Sequence, residues 1–78
     1  MQHFTRITQS PSVMGGRPCI RGMSLTVGSI LELLAEGRTV NEIITVYPYL
    51  EPADVQQSLA YAAWWLDRGE VSAQSAPR

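Results

Sequence analysis

The chain has no lysine, one cysteine, one histidine and one phenylalanine among 78 residues. Each shortage excludes some chemistry. Cys19 alone makes no internal disulfide, and Cys19 with His3 falls short of the four ligands that a structural zinc ion takes. A lone cysteine suits a reducing compartment, so a cytoplasmic protein is expected. No charge-free apolar run nears the ~20 residues that span a bilayer. The opening Met-Gln-His-Phe-Thr-Arg also lacks the apolar centre of a signal peptide, and no membrane association is expected. Gly15-Gly16 is not followed by the Gly-Lys-Ser/Thr of a phosphate loop. Cys19, between Pro18 and Ile20, reads as a small buried hydrophobe. Without a nucleophile, base or metal constellation, the expectation is a protein that is not an enzyme, with no cofactor and no small-molecule substrate.

With lysine missing, every fixed side-chain cation is a guanidinium, the group best shaped for two-pronged contact with carboxylate or phosphate. Residues 1–31 carry Arg6, Arg17 and Arg21 and no acid. Residues 32–70 set seven acids against Arg38 and Arg68. The net charge of −1 argues against a protein that coats nucleic acid.

What is present begins with Gly15-Gly16-Arg17-Pro18-Cys19-Ile20-Arg21-Gly22, turn and strand chemistry rather than helix. Arg17 and Arg21 on such a turn are candidate contacts for phosphate or for a partner's carboxylates. Phe4–Thr8 is strand-forming. Pro18-Cys19-Ile20 and Ser24–Val27 can pair across Arg21-Gly22-Met23. Helix one is expected from Val27 to about Glu36, capped by Thr26 and stopped by Gly37. Thr39-Val40-Asn41-Glu42 is a capping box that opens helix two, which Pro48 ends. Helix three starts with Pro52 in its first turn and runs to Gly69, with Val55, Leu59, Ala62 and Leu66 as its inner stripe. The fold class is mostly α (α+β): short N-terminal β-strands and a hairpin, then a three-helix, helix-turn-helix-like bundle. One domain is expected over 1–68, with a β-rich arm (1–27), a tri-helical part (27–68) and a disordered tail (69–78).

Near its end helix three reads Ala60-Tyr61-Ala62-Ala63-Trp64-Trp65-Leu66, apolar nearly all round. Trp64 and Trp65 point about 100° apart, so both cannot face one core. Either the N-terminal strands cover one indole, or Tyr61, Trp64 and Trp65 form a protein–protein interface, the role for which Trp and Tyr are enriched. A small domain without disulfide or metal gains most from self-association, so a homodimer is expected.

Helix two, its short connection and helix three have the outline of a helix-turn-helix, in which the second helix reads DNA. Gln56 and Gln57 are the candidates for base edges and Arg38 for phosphate. Glu51 and Asp54 would repel the backbone, and the same three helices can pack without any DNA.

Gly16–Gly22, the apolar helix ending Ala35-Glu36-Gly37, Val40-Asn41-Glu42-Ile43-Ile44, Tyr47-Pro48-Tyr49-Leu50, Asp54-Val55 and Leu59-Ala60-Tyr61-Ala62 together resemble the bacterial domain-of-unknown-function family numbered 433, over about residues 7–66. The resemblance implies a homeodomain-like helix-turn-helix behind short strands. It also implies an antitoxin-like partner of a small PIN-like nuclease toxin in a type II toxin–antitoxin system, one that could repress its own operon. A stand-alone dimeric DNA-binding regulator is the alternative, and an adaptor that only dimerises is a third. Where the family has Thr-Arg-Ile-Pro after the glycine, this chain has Met23-Ser24-Leu25-Thr26, one positive charge fewer. Its Arg17-Pro18-Cys19 stands for the family's Lys-Pro-Val and keeps the charge.

Overall fold

The computed structural model describes residues 4–68. His3 and the tail 69–78, expected to be disordered, lie outside the described residues. Two short strands, β1 (Ile7–Thr8) and β2 (Cys19–Ile20), precede three helices, α1 (Val27–Ala35), α2 (Val40–Val46) and α3 (Pro52–Arg68). The architecture is thus a short antiparallel β-hairpin followed by a three-helix bundle, the mostly-α class expected.

β2 is the centre of the strand region. On one side it pairs antiparallel with β1, Ile7 opposite Ile20 and Thr8 opposite Cys19. On the other it meets the expected partner only as a bridge, Cys19 opposite Thr26, with Ile20 N–H donating to Leu25 O at 3.0 Å and Val27 N–H to Pro18 O at 2.9 Å. The expected hairpin therefore exists, but too short to count as paired strands. Its turn is closed by Met23 N–H to Ile20 O at 2.8 Å. Arg21 and Gly22 both take positive φ, 46° and 76°, as a type I′ turn requires at its two central positions. Glycine does this freely; arginine does so under strain.

The helices begin and end where local chemistry sets them. Thr26 caps α1 by accepting from Ser29 N–H at 3.0 Å. Gly37, at φ 93°, supplies the left-handed residue that closes it. The Thr39–Glu42 capping box opens α2, with reciprocal bonds of 3.1 and 2.8 Å.

Ile20, Leu25, Val27, Ile30, Ile43, Leu50 and Val55 form the buried core, with Leu31, Leu34, Val40, Ile44, Tyr47 and Tyr61 packed around it. Each fully buried isoleucine contributes about 1.5–3 kcal/mol by leaving water. One expectation is corrected here. The buried positions of α3 are Asp54, Val55 and Ser58, whereas Leu59 and Leu66 are 45% and 69% exposed. The inward face carries Asp54, which meets two arginines, beside Val55, which joins the apolar core, and Ser58, whose hydroxyl donates to Asp54 O at 2.9 Å. Leu59 and Leu66 lie off that face.

Candidate protein-docking groove

Two features organise the surface: an ionic lock at the start of α3 and an apolar groove along its end. The lock centres on Asp54, whose side chain is fully buried. Arg21 donates to it twice, Nε to Oδ1 at 3.1 Å and Nη2 to Oδ2 at 2.9 Å. Arg6 Nη1 donates to Oδ1 at 3.0 Å and to Glu51 Oε1 at 2.6 Å. Glu51 N–H completes the set by donating to Oδ2 at 2.8 Å, the return half of a capping box. Burial on its own pushes the Asp54 carboxyl upward. The hydrogen bonds from Arg21, Glu51 N–H and Arg6 outweigh that, and the net pKa lies below the ordinary 3.8. The lock fixes the N-terminal arm and the β2 turn onto α3.

Several expected site residues belong to this lock or lie beside it. Arg21 spends its guanidinium on Asp54 and on Tyr49 O, at 2.8 Å from Nη2. Gln57 accepts from Arg6 N–H at 3.0 Å and donates to Thr5 Oγ1 at 3.3 Å, so it holds the arm. Gln56 and Arg38 are exposed; the nearest acid to Arg38 is Glu36, at 3.9 Å. Helix α3 therefore begins under a strap of chain, with its carboxylates already neutralised from within the molecule.

The groove lies between α1, the segment Arg17–Pro18 and the last turns of α3. It has a volume of about 570 Å³ and is lined by Arg17, Val27, Leu31 and Glu32 on one flank and by Tyr61 and Trp65 on the other. Leu66, also on its wall, and Trp65, 53% exposed, stand at its edge as apolar surface in contact with solvent. The neighbouring aromatics form a continuous cluster. Phe4 meets Tyr61 and Trp64 edge-on at 5.2 and 5.9 Å, and Trp64 meets Trp65 at 5.1 Å. The Arg68 guanidinium sits 4.6 Å from the Trp64 ring centre, within cation–π range. Trp64 is thus half-covered by the arm from one side and by Arg68 from another, and Trp65 is not.

Of the expected site residues, the groove gathers Arg17, Tyr61 and Trp65, while Arg21, Gln56, Gln57 and Arg38 stand apart from it. Arg17 is exposed and forms no salt bridge among the described residues. Sequence reasoning missed Arg6, Asp54 and Glu32. For Asp54 a signal existed, its place three residues after Glu51 at a helix start, the spacing of a capping box. Among the described residues no group of three or more potential ligands could hold a metal. No helix there is long and apolar enough to cross a membrane.

Fold and groove define a class: a small strand-capped tri-helical module with an exposed apolar cleft at the end of its longest helix. The chain belongs to the family described as Protein of unknown function (DUF433), whose model matches residues 7–62. That span contains Arg21, Glu51 and Asp54 of the lock, though not Arg6, and most of the groove, and it stops before Trp64. The chain is also similar to the "Uncharacterized protein y4eO" of Sinorhizobium fredii (strain NBRC 101917 / NGR234), at 29% identity over 56 residues. That match covers 72% of this chain and 25% of that protein, so the chain spans about a quarter of the length of that curated relative. No solved structure matches the chain.

Proposed function

We propose that the chain is a non-enzymatic, antitoxin-like protein that acts in the cytoplasm by docking another polypeptide in the groove, with a PIN-like nuclease as the partner, and that it self-associates through the same face. The observation that carries this is the exposure of Trp65 and Leu66 on the wall of a largely apolar cleft. Water-facing apolar surface of that kind marks an interaction site, and indoles dominate interface energetics. Arg17 at the groove is the cation left over for a partner. A metal-dependent nuclease site is lined by carboxylates, and a guanidinium placed among them competes with its metal. Arg21, committed to Asp54, supports the turn instead.

The alternative is a stand-alone helix-turn-helix regulator that binds operator DNA. Exposed Gln56 and Arg38 leave it open, but the arm strapped over α3 and the tie on Gln57 reduce what that helix can offer a base edge.

The test is co-expression with a PIN-like nuclease encoded beside this gene. The expected result is a co-eluting complex with the nuclease silenced, lost in Trp65→Ala and in Arg17→Glu while each variant stays folded. Silencing that survives both substitutions rejects the groove as the contact. Specific operator binding that weakens steeply with salt, with no nuclease bound, selects the DNA reading.

A further inference from the structure

From the charges that line the groove, we infer that its occupant in the partner-free protein is a second copy of this chain, held in a two-fold dimer by reciprocal Arg17–Glu32 pairs. The inference rests on the reading of the groove as a docking surface, though not on the nuclease as partner.

A two-fold interface has to be self-complementary, because every contact from one copy to its mate recurs in reverse. This face meets that condition in shape and in charge. Trp65 and Leu66, 53% and 69% exposed, line the cleft together with Val27, Leu31 and Tyr61. Exposed apolar side chains and the cleft therefore share one surface, and the Trp65–Leu66 edge of each copy can pack against the cleft of the other. Arg17 from the segment before β2 and Glu32 from α1 both line the cleft. Both are exposed, and no salt bridge joins them or ties either one elsewhere among the described residues. The other well-placed cations, Arg6 and Arg21, are bound to Asp54. Among the described residues that line the cleft, Arg17 and Glu32 are the charged ones, one of each sign, the minimum set that a two-fold axis turns into two ion pairs. A partner that presents charge of one sign pairs with only one of the two. A second copy satisfies both. Because Trp65 is enclosed in such a dimer, a different partner reaches it only by displacing the mate.

Charge swapping tests this in solution. Arg17→Glu and Glu32→Arg are both exposed positions, and circular dichroism should show each variant folded as the wild type is. Sedimentation equilibrium should give a dimer for the wild type. Each single variant should dimerise at least about tenfold more weakly, since each sets like charges opposite one another across the axis. An equimolar mixture of the two variants should recover wild-type affinity as a heterodimer, because every introduced charge then meets its opposite. A wild-type monomer at all concentrations would overturn the dimer, and single variants as tight as wild type, or a mixture that stays monomeric, would overturn the Arg17–Glu32 pairing. Loss of self-association in Trp65→Ala alone, with both charge variants unaffected, would overturn this geometry while leaving the docking reading intact.

Discussion

Arg21 grips Asp54 across 33 residues of sequence with two near-parallel hydrogen bonds, 3.1 and 2.9 Å long. The contact explains two oddities at once. It gives a buried carboxylate its counter-charge, and it holds in place a turn whose arginine has positive φ. A strained residue persists where its surroundings over-determine it, and here the surroundings are one aspartate on α3. The same carboxylate binds Arg6, so a single side chain joins the arm, the turn and the third helix.

Asp54→Asn should therefore be among the most damaging isosteric changes in the protein. The substitution sets an amide donor against two guanidinium donors and leaves the buried position without charge. Because Arg6 and Arg21 reach water, the cost is that of buried hydrogen bonds left unmade, about 2 kcal/mol, which for a domain of this size lowers Tm by roughly 10 °C. Urea or thermal unfolding measures it, and a change below about 1 kcal/mol would mean that the lock is ornamental.

The acid limb of the stability curve should come largely from the same group. The folded pKa of Asp54 is held below its ordinary 3.8, so the folded state binds its proton less readily than the unfolded chain. That stabilisation is complete above the ordinary carboxylate value and is lost as pH falls through the depressed folded one. The urea midpoint should stay level from pH 8 to pH 5 and drop below about pH 4. In Asp54→Asn the drop should be visibly smaller. An equal drop in both proteins would assign the acid sensitivity to the other carboxylates.

The helix boundaries could be read from the sequence, because caps and breakers act on their near neighbours. Thr26, Thr39, Gly37 and Pro52 each do locally what their chemistry predicts. The burial of Asp54 could not be read that way. Its partners lie 33 and 48 residues away, and no periodicity registers a contact made by folding. The inner stripe of α3 was misplaced too: apolar spacing favours Leu59 and Leu66, but the buried face runs through Asp54, Val55 and Ser58, two of them polar. Half of the groove was legible as the apolar surplus around Trp64 and Trp65. Its α1 wall, with Leu31 and Glu32, was not, since apolar spacing assigns Val27, Ile30, Leu31 and Leu34 to a single core-facing stripe.

Gln57 and Gln56 are neighbours with different duties, and stability separates them. Gln57→Ala removes the acceptor for Arg6 N–H and the donor to Thr5, a loss of about 1 kcal/mol. Gln56→Ala, at an exposed position, should stay within about 0.5 kcal/mol of wild type. Paired urea titrations decide it, and equal costs would show that the arm is not held by Gln57.

Phe4 controls how much of Trp64 meets water. Its ring stands edge-on to Tyr61 and Trp64, with interplanar angles of 85° and 65°, the geometry in which aromatic quadrupoles attract. Phe4→Ala should cost about 1 kcal/mol and shift tryptophan emission to the red. The shift must come from Trp64, because Trp65 is already 53% exposed and has little covering to lose. Repeating the substitution in a Trp64→Phe background isolates the source: the red shift should vanish there, since only Trp65 then emits. A shift of equal size in both backgrounds would mean that Phe4 acts on Trp65, and that the arm rather than a partner guards the groove.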